Sequence, residues 1–422
     1  MKSFTSATFR FLLVICISTI LTGCEEDEHF RYISSSTPSR EKIVKSAFYR
    51  FTETLREMDE SERENAVKEF LIKNPNSPII EGGGIACIYW YGNADTVLVI
   101  GDIQGSWNFP DTMNFIRCGS GNFFFRIYML PSDLRADYLL IVDGKSMTDP
   151  RNPVVAPSVY GPHSQISLPG FIPDKVRDFR NEIPRGTIDS LVINSNYKEL
   201  NSRLAVIYKP HGYDTLEALP VVFVNDGLKA IEYSSYLNVL DNLICEKRIR
   251  PVLAVFMEYK EGDQNYNLNE YEAYITAFCD ELVPLIERIY KTTGNSSDRI
   301  ITGVSAGGHL SLLTVLKRPD VFLNSAGQST TTTRALFETI EKPHKFKRDL
   351  KIYLDVARYD LVYGAADSET FLFSNQKLSK SLAESGIRHQ LRIFNDGHQW
   401  GNWRERTDDI LIYFLSTNHP HP

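Results

Sequence analysis

The chain has 422 residues, with 46 Lys and Arg against 53 Asp and Glu and a formal net charge of −7. That balance provides no electrostatic footprint for nucleic acid, and the length accommodates two or three domains. Of the six cysteines, Cys87, Cys118, Cys245 and Cys279 lack CxxC spacing, which argues against a zinc site. Cys87–Cys118 and Cys245–Cys279 bridges and buried free thiols all remain open at this level.

In chain order, residues 1–23 read as an export signal. Lys2 and Arg10 form a sparse basic start, and Phe11 to Leu21 is an apolar core too short to span a bilayer as a helix. Leu21-Thr22-Gly23-Cys24 resembles the bacterial lipobox. The resemblance implies lipidation at Cys24 and an exported protein anchored to a bacterial membrane, facing the periplasm or the cell surface. Residues 24–38 are a polar tether; its acidic run Glu25–Glu28 resembles the surface-export signal of some lipoproteins, or simply stays solvated.

Residues 39–80 are expected to be helical. Ile43, Ala47, Phe48, Phe51, Leu55 and Met58 recur at helical spacing from Ser39 to Met58. Ser61 is a candidate cap for a second helix carrying Ala66, Val67, Phe70 and Leu71 and ending before Pro75. The apolar stripe is expected to pack on the body of the protein. Residues 81–170 change to short β-rich runs, Ile85–Tyr91, Thr96–Ile100, Phe123–Tyr128 and Tyr138–Val142, which predict a small antiparallel sandwich. Trp90, Tyr91 and Trp107 are candidates for sandwich core or for stacking on a ligand. Pro169, Pro173 and Pro184 mark an interdomain linker over 171–185.

From 186 to 418 the pattern is α/β. Leu204–Tyr208, Val221–Val224, Val252–Met257, Arg299–Thr302, Ile352–Val356 and Leu391–Phe394 are apolar strand-like runs. Helical patterns separate most of them, the clearest from Phe278 to Tyr290. This alternation predicts a largely parallel, doubly wound sheet.

The chemistry centres on Gly303-Val304-Ser305-Ala306-Gly307, a GxSxG turn between a β-run and a helix-length apolar run. A serine needs a base within hydrogen-bond reach, and the base needs a group to orient it. His398 follows the run Leu391–Phe394 in Asn395-Asp396-Gly397-His398, which places it at the carboxyl edge of the sheet. His309 is too close to Ser305 along its helix to act as the base. Asp355 and Asp360 are both candidates for the acid, and the loop position of Asp360 suits it better. The oxyanion donors expected are the N–H of Ala306 and that of Gly227 or Leu228. No metal or organic cofactor is called for.

These residues carry a resemblance. Tyr208-Lys209-Pro210-His211-Gly212-Tyr213, Asn225-Asp226-Gly227, Glu281-Leu282-Val283-Pro284, Gly303–Gly308, Pro319-Asp320-Val321-Phe322, Gln328-Ser329 and Gly397-His398 resemble the α/β-hydrolase family of enterochelin, feruloyl and acetylxylan esterases and esterase D. Gly101–Trp107, Val142-Asp143-Gly144 and Asp149–Pro153 resemble the Ig-like N-terminal domain of enterochelin esterases and related carbohydrate-binding modules. By position, the family nucleophile falls on Ser305, the base on His398 and the acid on Asp360. The glycine often found three residues before the acid is here Ala357. An arginine of the enterochelin esterases is absent from Asn267-Leu268-Asn269-Glu270-Tyr271, which weakens the case for an anionic ferric catecholate.

The resemblance implies a serine esterase, first of the enterochelin type acting on a siderophore trilactone. The alternative is a feruloyl or acetylxylan esterase acting on plant polysaccharide. The rival class is a non-catalytic surface lipoprotein binding glycan or iron chelate. Asn267, Trp400, Trp403 and Arg404 are the candidate substrate contacts, with a small-molecule or oligosaccharide ester as partner.

Overall fold

The computed structural model describes residues 38–258, 268–342, 349–362 and 370–417. The segment expected to be an export signal, Cys24 and nearly all of the expected tether lie outside them, as does Asn267.

Three helices lead the described chain, Pro38–Lys45, Ala47–Glu57 and Glu60–Lys73. The single helix expected from Ser39 to Met58 is interrupted at Ser46. Ser46 Oγ accepts the Tyr49 N–H at 3.0 Å, and the Glu81 carboxylate accepts the N–H groups of Ala47 and Phe48 at 2.9 and 2.8 Å. The side chains thus satisfy donors that open a helix, and the charge of Glu81 complements its positive end. The third helix starts before the proposed cap Ser61, with Asp59 at its N-cap. Phe48, Leu55 and Val67 bury against Cys87, Tyr89, Phe123 and Phe125, so the apolar stripe packs on the adjoining sheet as expected.

That sheet has the strand order Ile79–Glu81, Ile85–Gly92, Gly121–Met129, Asn114–Cys118. A second sheet runs Ser106–Thr112, Val97–Gly101, Arg135–Val142, His163–Ser167, Val155–Ala156, with Lys145–Met147 beside Arg135–Val142. Every pairing in both is antiparallel. Ile88 and Phe124 of the first sheet share one apolar core with Val97, Val99, Tyr138, Leu140 and Ile166 of the second. Burial alternates along Val97–Gly101, the period-2 pattern of a strand with one face on the core, although its residues are apolar throughout. All four described cysteines are free: Cys87, Cys118 and Cys279 are buried and Cys245 is exposed.

The stretch 171–185 is pinned to the α/β half. Val176 enters its core, and Asn242 Nδ2 donates to the carbonyls of Val176 and Asp178 at 2.6 and 2.9 Å.

The α/β half is built on eight strands, ordered across the sheet Thr187–Ile193, Arg203–Lys209, Leu253–Met257, Val221–Val224, Arg299–Val304, Asn324–Gln328, Lys351–Tyr359, Arg388–Gly397. The first two pairings are antiparallel and the rest parallel. Apolar clusters cover both faces, which is why the central strands read as continuous Val, Ile and Phe runs. Asn324–Gln328 is fully buried yet escaped the sequence reading, because small and polar residues occupy it. Its polar ends are satisfied by other segments: Asn324 Nδ2 donates to Ser297 O at 2.7 Å and Gln328 Nε2 to Trp403 O at 3.1 Å. The expected helix at Phe278–Tyr290 contains a π segment, Phe278–Leu282, followed by the α-helix Val283–Ile289.

Candidate active site

Ser305 joins the strand Arg299–Val304 to the helix Ala306–Lys317 at φ +50° and ψ −114°. Positive φ at a non-glycine residue is strained, and this one is held on three sides. Its N–H donates to Gln328 O at 2.8 Å, while its carbonyl accepts the N–H groups of His309 and Thr331, each at 3.1 Å. The flanking glycines are required for close approach. A Cβ on Gly303 would lie 2.5 Å from the carbonyl carbon of Gly307, and one on Gly307 would lie 2.6 Å from Asp226 Oδ2.

The parallel strands deliver the other groups to the same edge. His398 follows Arg388–Gly397, and its Nε2 lies 3.2 Å from Ser305 Oγ. Its Nδ1 lies 2.5 Å from Asp360 Oδ1, just past Lys351–Tyr359. The imidazole is wedged between two aromatic rings met edge-on, Phe371 at 4.7 Å and Trp403 at 4.9 Å between centroids. Burial opposes ionisation of Asp360, but the His398 imidazole, the Ser329 hydroxyl and the Leu361 N–H outweigh it. They hold the carboxyl below its ordinary range.

Asp355, the other acid candidate, is buried inside the strand, accepting from Gln328 Nε2 at 3.3 Å and facing Arg406 Nη1 at 3.2 Å. His309 serves the turn: its Nδ1 pairs with Thr331 O at 3.0 Å, and burial pushes the imidazole down to about 4, so it stays neutral.

Ala306 opens the helix after Ser305, and Gly227 opens the helix Gly227–Ser234 after the strand Val221–Val224. The first N–H groups of a helix have no acceptor one turn back and sit at its positive end, so both turns offer donors for a developing anion. Gly227 is needed because a Cβ there would lie 2.4 Å from Phe256 Cα. Leu228 packs against the apolar cluster, while Asp226 and Lys229 of the same turn face the cavity.

Ser305 and His398 border a cavity of about 570 Å³ that both halves of the chain enclose. Trp400, Trp403, Leu361 and Lys229 come from the α/β half, and Trp107, Asn108, Val159, Tyr160 and His163 from the sandwich. Trp400 and Trp403 therefore stand where the sequence placed them, meeting edge to face with centroids 5.4 Å apart. Arg404 does not. The tight turn after Trp403 sends its guanidinium to Glu405 Oε1 at 3.1 Å and Gln165 Oε1 at 3.3 Å, outside the cavity lining. Trp107 lines the cavity, stacked on His163 at 4.5 Å. Trp90 instead meets Phe124 edge-on and borders a separate hollow with Tyr91.

Phe371, Tyr160 and Lys229 were not identified from sequence. Nothing local marks them, although the segment Gln328-Ser329 did flag the shelf behind Ser305 and Asp360.

A family model described as Putative esterase matches residues 198–414, just over half of the chain. The chain belongs to this family. It is accordingly a carboxylic ester hydrolase, built on an α/β fold. The esterase is 24% identical over 215 residues to the uncharacterized protein YjcH of Bacillus subtilis, covering 49% of this chain and 89% of YjcH. It is 28% identical over 172 residues to an endo-1,4-beta-xylanase/feruloyl esterase of Xylanibacter ruminicola, covering 36% of this chain. There it spans only 23% of the relative's length. The ferric enterobactin esterase of Salmonella typhimurium has a similar fold, with TM-score 0.63, 17% identity, and coverage of 82% of this chain and 98% of that one. The enterochelin esterase of Shigella flexneri gives TM-score 0.61 at 16% identity, covering 82% of this chain and 96% of that one.

Proposed function

We propose that this esterase works by a serine mechanism, with Ser305 as nucleophile, His398 as base and Asp360 orienting the imidazole. The observation that supports this most directly is the continuous contact from Asp360 Oδ1 through His398 to Ser305 Oγ, at 2.5 and 3.2 Å. His398 takes the hydroxyl proton on Nε2 as Ser305 Oγ bonds to the ester carbonyl carbon. The N–H of Ala306 and that of Gly227 or Leu228 receive the oxyanion, and the alcohol leaves with the proton held on His398. Water, deprotonated by His398, then releases the acid and regenerates Ser305.

The substrate we propose is an ester bearing an aromatic ring and little negative charge, such as a hydroxycinnamoyl ester on a polysaccharide. Trp107, Tyr160, Trp400 and Trp403 offer ring faces and edges. Among the described lining residues, Lys229 is the one Lys or Arg side chain and Asp226 stands near it. A highly charged ferric catecholate would call for several cations. A siderophore trilactone remains the second reading, supported by the fold shared with the enterobactin esterases across both halves of the chain. Purified protein given a feruloylated oligosaccharide, an acetylated xylan and a catecholate trilactone decides between them: turnover of the trilactone alone would overturn the first reading. A fluorophosphonate probe tests the mechanism and the rival binding-protein reading together. Labelling that persists in Ser305→Ala, or no labelling of folded wild type, would defeat the serine assignment.

We further propose export and acylation at Cys24, which would place the enzyme on a bacterial membrane. Metabolic labelling with a fatty acid should mark the wild type and not Cys24→Ala.

A further inference from the structure

We propose that Asp102, in the β-sandwich, is a positioning residue for ester hydrolysis, holding the loop that carries His398 through its contacts with Gly397 and Asn402. The inference rests on the catalytic reading above. Asp102 is 1% exposed and surrounded by donors. Its Oδ2 accepts the Asp137 N–H and Asn402 Nδ2, both at 2.8 Å, and its Oδ1 accepts Trp107 Nε1 at 3.1 Å. On the far side of His398, Gly397 lies so close that a Cβ there would fall 2.1 Å from Asp102 Cγ.

Arg135, on the neighbouring strand of the sandwich, completes the clamp. Its Nη1 donates to Asn402 Oδ1 at 2.6 Å, and a Cβ on Gly401 would lie 2.3 Å from its Nη2. Asp137 pairs with Arg135 at 2.6 Å and lies 3.4 Å from His163 Nδ1. Gly397, Gly401 and Asn402 thus all rest on the sandwich, and they bracket His398.

A base must be held to a fraction of an ångström, and a displacement of about 1 Å can lower turnover by about 10²-fold. Asp360, Phe371 and Trp403 orient the imidazole from the α/β side. Asp102 and Arg135 fix the backbone that carries it from the other. The same carboxylate binds Trp107, whose ring lines the cavity, so one group connects the substrate wall to the base.

The test uses the full chain with Asn402→Ala, Asn402→Asp and Asp102→Asn. Turnover of p-nitrophenyl acetate is normalised to the sites titrated by a fluorophosphonate, and Tm is read in parallel. Asn402→Ala is expected to lower per-site kcat by about tenfold or more with KM within about twofold. Asn402→Asp sets two carboxylates face to face and should lose as much. Asp102→Asn keeps the shape but turns an amide NH2 onto at least one of the three donors that meet the carboxylate, so it should likewise lower per-site kcat with KM within about twofold. Unchanged per-site kcat in Asn402→Ala alongside a lowered Tm would mean a purely structural contact and overturn the proposal. So would full per-site kcat in Asp102→Asn, a comparison that decides the matter even if Asn402→Ala does not fold. If the wild type itself takes no probe, the serine mechanism fails instead, which separates the two outcomes.

Discussion

At the scale of single residues, the proposed mechanism has Ser305, His398 and Asp360 divide one proton-transfer task. In it the Asp360 carboxylate, 2.5 Å from Nδ1, holds the Nδ1 proton of His398 and leaves Nε2, 3.2 Å from Ser305 Oγ, to accept from the serine. Replacing Asp360 by Asn preserves shape but presents an amide to Nδ1 and disfavours the productive tautomer. Asp360→Asn should lower kcat by about 10³- to 10⁴-fold, and Ser305→Ala by at least about 10⁴-fold, in steady-state assays on a chromogenic ester. Asp355→Asn should leave the mechanism intact, since Asp355 contacts Gln328 and Arg406 and not His398. A loss in Asp355→Asn equal to that in Asp360→Asn would reverse this assignment.

At the scale of elements, close backbone approach decides where the donors and strands lie. Gly227 seats its helix directly on the strand Leu253–Met257, with Phe256 Cα 2.4 Å from where a Cβ would be. Backbone cannot yield as a flexible side chain would, so Gly227→Ala should destabilise by about 1–3 kcal/mol in denaturant unfolding and also reduce turnover. Adjacent strands also share a buried charge. Asp355 and Asp396 both face Arg406 Nη1, at 3.2 and 3.4 Å. Burial is the main cause that pushes each carboxyl up to about 7, two carboxylates being too many for one guanidinium. Unfolded, they titrate near about 4. Between those values the folded chain holds more protons, so this contribution to stability is present in acid and lost as pH rises through about 7. Asp396→Asn leaves Arg406 to Asp355 alone and should flatten the fall in Tm between about pH 5 and about pH 8. A slope equal to wild type would contradict it.

At the scale of the whole molecule, the groups of the proposed mechanism belong to one half of the chain while the cavity belongs to both. Tyr160 is 85% exposed at its edge, a position where a large ring gains little unless a ligand covers it. Tyr160→Ala should therefore raise KM for a feruloylated oligosaccharide by about three- to tenfold and leave kcat/KM for p-nitrophenyl acetate unchanged, since the small ester does not reach that wall. Equal effects on both substrates would place Tyr160 in folding and not in specificity.

Much of the catalytic half was legible locally. Strand-like runs such as Val221–Val224, the glycine-flanked Ser305 and the loop positions of Asp360 and His398 depend on hydrophobic periodicity and turn chemistry, which act over a few residues. These local patterns dictate the order strand, Ser305, helix, Asp360, His398, and the strand ends that carry each group. Packing between distant segments settles that Trp107 lines the cavity, that Arg404 turns away from it, and that the polar stretch Asn324–Gln328 is a buried strand. It alone shows Asp102 meeting Asn402 at 2.8 Å, across 300 residues of chain. These outcomes depend on partners distant in sequence: a polar side chain enters the interior where another segment supplies its hydrogen bonds, and no local pattern records where that segment will be.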